Sequence, residues 1–376
     1  MDEQGGTPPE HDRYLSGRRI LPAGLRGQES VLDLVEQAFF AYNAARLREG
    51  ALLFTKKMLE PDCTVGMSLA GAMTPAGLGT SCIVPLIEAG FVDWIVSTGA
   101  NLYHDLHFAF NCKLCAGDFK TDDAALYEAG VVRIYDVLLS REECLLATDV
   151  RLRSILQRPE FQRTMGTAEF HYMLGEHIAR AEEESGLPHV SVLAAAYRND
   201  VPVYTSAPSD STIGLEVAAI RFGGSRLGFD SILDANETTS FFYATRTRNT
   251  KSAVVLLGGG SPKNFTLQTA PHCTDSLGLE VKGHDYFLQI TDARADTGGL
   301  SGATPHEAVS WGKVDPERVP DAVVCYCDTT IALPILTSYA LSRHAPRPPR
   351  RLYRMRGELL AELKAAYLAQ TRRVPH

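Results

Sequence analysis

Thr64-Val65-Gly66-Met67-Ser68-Leu69-Ala70-Gly71-Ala72-Met73-Thr74-Pro75-Ala76-Gly77 begins as a short apolar run and closes as a turn of small residues. A helical pattern follows from Cys82 to Gly90. A strand that feeds small residues and then a helix is the grammar of a nucleotide-binding crossover, because a helix start offers backbone N–H groups to an anion. Phe91-Val-Asp-Trp-Ile-Val-Ser-Thr98-Gly99 repeats the theme, with a helix expected from about Leu102.

Further along, Val131–Asp136 and Val190–Leu193 read as strands. Pro202–Ser206 leads to Ala207-Pro-Ser-Asp210-Ser-Thr-Ile-Gly214, and Ala253–Leu257 ends in Gly258-Gly259-Gly260. Tyr286–Thr291 precedes Asp292 and Ala293, and Ala322–Cys327 precedes Asp328 and Thr329. Strands that finish in small or polar residues and alternate with helical patterns predict an α/β fold, a Rossmann-like parallel sheet flanked by helices. Ligands of such sheets bind beyond the carboxyl ends of the strands. Glycine and aspartate also make ordinary turns, so it is the recurrence of these ends that points to a crevice.

Residues 1–29 are rich in Gly, Pro and charge and read as a loose arm. Ser30 and Asp33 then open a helical pattern expected to run to Glu49 and beyond Gly50 to Met58. Residues 30–340 form a single catalytic domain in this reading. Residues 341–376 add a basic helix, over about Leu352–Leu368, with solvated arginines and a peripheral or subunit-contact role.

The 376 residues are 45% apolar and carry a net charge of -8. That balance argues against nucleic acid and anionic membrane as main partners. Neither a signal peptide nor an apolar stretch long enough to span a membrane is evident, so a cytoplasmic location is expected. The eight cysteines are scattered, and Cys112–Cys115 is a lone CxxC. His104 and His107 share a helical face, but local spacing supplies no third ligand, so no metal is expected.

Ser301-Gly-Ala-Thr-Pro-His-Glu307-Ala-Val-Ser-Trp311-Gly-Lys313 carries the chemistry. A lysine beside an aromatic wall is desolvated, which disfavours its ammonium and leaves an amine able to attack a carbonyl or imine carbon. Glu307 is placed to carry protons. The plainer alternative is a surface lysine at the end of a helical turn. Gly258-Gly-Gly-Ser-Pro-Lys-Asn264 is neither GxGxxG nor a P-loop, though it allows close backbone approach to a ligand. Asp210 and Asp328 are candidates to hold ribose hydroxyls.

Together these segments resemble the deoxyhypusine synthase family. The Glu307–Lys313 run looks like that family's catalytic segment. The turns at 97–99 and 258–260, Ser209-Asp210 with Ile213-Gly214, and Asp328 fall in the family's order. The resemblance spans about residues 30–340 and looks closest to the prokaryotic deoxyhypusine synthase-like branch. It implies an NAD-dependent transferase that moves an aminobutyl group from spermidine to an amine through a lysine imine. It also implies tetramers with active sites between subunits. Catalysis would fall on Lys313, Glu307 and Trp311. Cofactor contacts would fall on Gly71, Ala72, Met73, Thr74, Pro75, Thr98, Gly99, Asp210, Gly259, Asp292, Ala293, Asp328 and Thr329.

Departures lie on the substrate side, at His104, Leu215, Asn264, Gly298, Gly299 and Leu300. Asn264 stands where eukaryotic members carry histidine. Leu215 and Leu300 stand at acidic positions that grip the donor's ammonium ends, and His104 stands at a glutamate. A charge-assisted hydrogen bond contributes about 1.5–3 kcal/mol, so losing two weakens spermidine in the same pose by roughly a hundredfold or more. Glu216 and Asp296 are near enough in sequence to be considered as substitutes. These changes favour a small amine acceptor, as in homospermidine formation, over a lysine of a translation factor. A non-catalytic NAD-binding protein is the lesser alternative.

Overall fold

The computed structural model describes residues 12, 14–187 and 189–371. Most of the proposed N-terminal arm's first half, residues 1–11 and 13, lies outside them. Its described part is exposed up to Gln28.

Six parallel strands form the central sheet: β1 (Cys63–Leu69), β2 (Trp94–Ser97), β3 (Val203–Thr205), β4 (Lys251–Leu257), β5 (Tyr286–Thr291) and β6 (Ala322–Tyr326). Their spatial order is β6-β5-β4-β1-β2-β3. The chain winds outward from β1 to β3, then returns to the other side of β1 and winds outward again. The direction reverses between β1 and β4, and in doubly wound sheets ligands bind in the crevice at that switch point.

Burial on both faces explains the apolar runs. Val65, Met67 and Leu69 of β1, with Val255 and Leu257 of β4, join the main core. The alternate residues face the other way, Val254 and Leu256 packing with Phe287, and Trp94, Val96 and Tyr204 with Phe241. Such two-sided burial is characteristic of parallel sheets covered by helices.

Three expectations are corrected. Val131–Ile134 is not part of the central sheet; it pairs antiparallel with Val137–Ser140, which also pairs with Leu114–Ala116. Val190–Leu193 is a helix entry rather than a strand. Ser191 caps the helix Val192–Arg198, and the buried Asp105 carboxylate takes the N–H groups of Val192 and Leu193. The first helix does begin at Ser30 with a capping box, but it ends at Gln37 and restarts at Tyr42, whose φ is +55°.

The last helix, Leu352–Thr371, packs on Ser231–Thr247 and buries Leu352, Leu359 and Leu363. Arg347, before it, is paired and largely buried, which corrects the expectation of solvated arginines at that position, while Arg351 and Arg354 pair but remain exposed. Arg347 donates to the buried Asp93 at 2.8 Å, while Arg351 and Arg354 both reach Asp200. No helix among the described residues is long and apolar enough to cross a membrane.

Candidate active site

At the switch point the turn after β1 is pinned by Asn101, a fully buried residue of the helix Gly99–Ala109. Its Oδ1 accepts from Met73 N at 2.6 Å and Thr74 N at 3.3 Å, and its Nδ2 donates to Leu69 O and Ala70 O. Thr74 Oγ1 returns a bond to Asn101 O at 2.7 Å, and Thr98 Oγ1 donates to Gly71 O at 2.6 Å. Gly71 to Pro75 is therefore a fixed loop. The helix begins earlier than expected because Thr98 caps it.

Two glycines allow close approach. A Cβ on Gly99 would overlap Ser211, the cap of the helix Thr212–Phe222. One on Gly259 would stand 2.6 Å from Ser301 Cβ. Ser301 Oγ in turn accepts from Gly260 N at 3.1 Å, and Ser261 Oγ donates to Ser206 Oγ, beyond β3, at 2.8 Å. The turns after β1, β2, β3 and β4 thus form one connected rim.

Asp210 is exposed after β3, and Asp292 and Ala293 follow β5. Asp328 caps the helix Thr329–Arg343, its Oδ1 accepting from Thr330 N at 2.8 Å. That leaves its second oxygen for a ligand.

The lysine predicted from sequence lies in a cavity of about 400 Å³ whose lining includes Lys263, Asn264, Leu300, Glu307, Trp311 and Lys313. Residues 263, 264 and 267 present one face of the helix Gly260–Leu267, whose start is the glycine rim. Lys313 Nζ donates to Asn264 Oδ1 at 3.0 Å and lies 5.7 Å from the centre of the Trp311 ring. Partial burial pushes the Lys313 ammonium below its ordinary pKa, opposed by the charge of Glu307. Trp311 itself is 63% exposed, so in a single chain it walls the lysine on one side only. Glu307 sits in the first turn of the helix Pro305–Ser310, its N–H capped by Thr304.

Sequence reasoning missed Lys263 and Gln289. Lys263 is 3% exposed and donates to Gln289 Oε1 at 3.0 Å and to Ala303 O at 2.6 Å. Burial, then the nearby Lys313 charge, push its pKa down to about 8. Gln289 Nε2 donates to Gly258 O and Ser301 O, tying the glycine rim to the cavity. The helical spacing from Gly260 signals Lys263 beside Asn264; nothing in the sequence signals Gln289.

His104 and Leu215 are not brought to Lys313 within one chain. His104 lines a second cavity with Tyr103, Leu139, Asp149 and Thr212. Burial holds its pKa down to about 4. Leu215, three residues after Thr212, is 63% exposed. Asp149 was also missed; it accepts from Tyr103 Oη at 2.7 Å. Of the two proposed acidic substitutes, Glu216 is buried and paired with Arg153, while Asp296 is exposed and pairs with the also exposed Arg294. Gly298 and Gly299 shape the exposed turn before Leu300, with Gly298 at φ +74°.

The family model for deoxyhypusine synthase matches residues 32–340. A deoxyhypusine synthase-like protein of Nostoc punctiforme is 52% identical over 353 residues, covering 94% of this chain and 90% of that one. A protein of Methanosarcina acetivorans named probable deoxyhypusine synthase 2 is 37% identical over 343 residues, 89% of this chain and 95% of that one. The crystal structure of a candidate deoxyhypusine synthase from Entamoeba histolytica superposes with a TM-score of 0.51 at 15% identity, covering 88% of this chain and 99% of that one, a likeness of fold. With the parallel sheet, the switch-point rim and the lysine cavity in place, the chain belongs to the deoxyhypusine synthase family.

Proposed function

We propose that this chain is an NAD-dependent aminobutyl transferase that takes its group from a spermidine-like donor, carries it on Lys313, and delivers it to a small amine, as in homospermidine formation. The observation that carries this reading is Lys313 itself. It is partly buried, its ammonium is disfavoured, and it is held by an amide on the helix that starts at the glycine rim.

The rim fits a dinucleotide. Backbone at Gly71 and Gly260 adopts positive φ with open space where a Cβ would be, and Gly259 gives the helix that follows it no side-chain cap of its own, Ser301 taking only the Gly260 N–H. Gly71 to Pro75, Thr98, Gly99 and Gly259 would line the pyrophosphate side. Asp210, Asp292, Ala293, Asp328 and Thr329 would offer polar groups to the riboses. NAD bound there supplies hydride acceptance and return.

The residues do the rest. Neutral Lys313 Nζ bonds the four-carbon amine as an imine, and 1,3-diaminopropane departs with the other nitrogen. The acceptor amine then displaces Lys313 at the same carbon. Glu307 moves protons at these nitrogens, and Trp311 with Leu300 keeps water from the imine. Asn264 aims the lysine. Two halves of the site, around Lys313 and around His104 and Leu215, lie apart in one chain. This supports a homotetramer in which paired subunits complete each other's sites. Residues 30–340 form the catalytic unit, with 1–29 as an arm and 341–376 as a basic C-terminal helix.

The leucines at positions 215 and 300 favour a small acceptor, because the amine-gripping carboxylates are replaced. The second reading, modification of a lysine on a translation factor, draws on the name of the archaeal relative. Incubation with NAD, spermidine and putrescine, agmatine or the candidate protein, followed by mass spectrometry, separates the two. Aminobutylation of the protein alone rejects the small-molecule reading.

A further inference from the structure

His107 and Cys112, at the end of one helix and just after it, converge with Cys144, more than thirty residues further along the chain. Their ligand atoms, one imidazole nitrogen and two sulfurs, all lie within 4.8 Å of one another. His107 is fully buried near the end of the helix Gly99–Ala109, and Cys144, 1% exposed, sits in the turn Arg141–Leu146 that precedes the helix Ala147–Leu156. Thr148 Oγ1 lies 3.0 Å from His107 Nδ1 and 3.7 Å from Cys112 Sγ, so Nδ1 faces the thiols. The other ring nitrogen, Nε2, is 3.1 Å from His104 Nδ1.

We infer that His107 Nδ1, Cys112 Sγ and Cys144 Sγ form a binding site for a soft divalent cation, zinc being the ion that two thiolates and an imidazole suit best. A tetrahedral zinc holds such atoms roughly 3.5–3.8 Å apart, so closure needs shifts of about half an ångström per side chain. Binding releases the thiol protons and leaves Nε2–H to donate to His104, the outer partner that metal-bound histidines ordinarily have. The Thr148 hydroxyl, or a water beside it, is placed for the fourth position.

The location gives the site a purpose. Cys112 stands just before Leu114–Ala116 and Cys144 just after Val137–Ser140, so the pair closes the neck of the small antiparallel lobe. Among the three strands of that lobe only Leu139 is buried, too little core to hold it in place alone. A cation at the neck would staple the lobe to the helix that carries Thr98, Gly99 and His104.

The test uses the reduced full-length protein with zinc or cobalt(II) as the probe, and reads metal rather than activity, so it stands or falls apart from the transferase assignment. We expect one equivalent of tightly held metal and, with cobalt, thiolate-to-metal charge-transfer absorption. Cys144→Ala removes both, whereas Cys115→Ala, at an exposed thiol outside the cluster, keeps both. Zinc should also slow alkylation of Cys112 in the unmodified protein by roughly tenfold or more, a readout that needs no variant. The site is rejected by an absence of stoichiometric binding. It is equally rejected by unchanged binding in Cys144→Ala with Cys112 unprotected, or by an isolated protein two hydrogens lighter with Cys112 linked to Cys144.

Discussion

Lys313 Nζ donates to Asn264 Oδ1 at 3.0 Å, so the terminal nitrogen of the lysine is aimed by a neutral amide. A carboxylate in that place would stabilise the ammonium and raise the pKa; an amide orients the lysine at far less cost to the neutral form.

Lys313→Ala should abolish transfer and any borohydride-trapped adduct while leaving NAD binding intact. Lys313→Arg should do the same, because it keeps the charge and loses the nucleophile. Intact-mass analysis after borohydride quench checks this, and an adduct persisting in either variant rejects Lys313 as the carrier.

Asn264→Ala removes one neutral hydrogen bond, worth about 0.5–1.5 kcal/mol, so the transfer rate should fall roughly 2- to 10-fold with little change in cofactor affinity. Steady-state kinetics beside NAD titration distinguishes aiming of the lysine from loss of the pocket.

Lys263 makes a claim about pH. Its pKa of about 8 in the folded chain lies below its ordinary 10.5, so between those values the unfolded chain binds more protons. Stability contributed by this residue therefore rises with pH through that window, by up to about 3 kcal/mol. Denaturant unfolding of the protein and of Lys263→Met at pH 7.5 and pH 10 should show this rise in the first relative to the second. Equal slopes with pH would mean that Lys263 is not depressed.

Leu300→Asp puts a carboxylate into the cavity that holds Lys313. A charge-assisted bond to a donor ammonium should lower KM for spermidine about tenfold or more. An unchanged KM would place the donor in a different pose.

Gly259→Ala drives a Cβ against Ser301 and should destabilise the rim by roughly 1–3 kcal/mol and weaken NAD binding. Gly71→Ala meets open space, so its cost should come from its φ of +62° alone and be smaller. Thermal melts with and without NAD compare the two.

The central sheet was legible because each of its strands is an apolar run that stops at small or polar residues, and all but the half-buried edge strand β6 are buried. Val190–Leu193 misled because the same β-branched residues can start a helix when a serine caps it and a distant carboxylate, Asp105, takes its first N–H groups. Glu307, Trp311 and Lys313 were legible as a local motif. Asn101 and Gln289, which set the turns around them, act across long sequence separations through single amides, and no local pattern announces such a bond.

The middle of the sheet also has a consequence for how the molecule is made. Cys63 through Leu69 pair on one side with Lys251 through Leu257. A growing polypeptide therefore carries an unpaired strand edge, one that is fully buried in the finished fold, until most of its length has been synthesised. That edge is the place where a nascent chain is open to mispairing, and the late arrival of the glycine-ended β4 both seals it and creates the crevice.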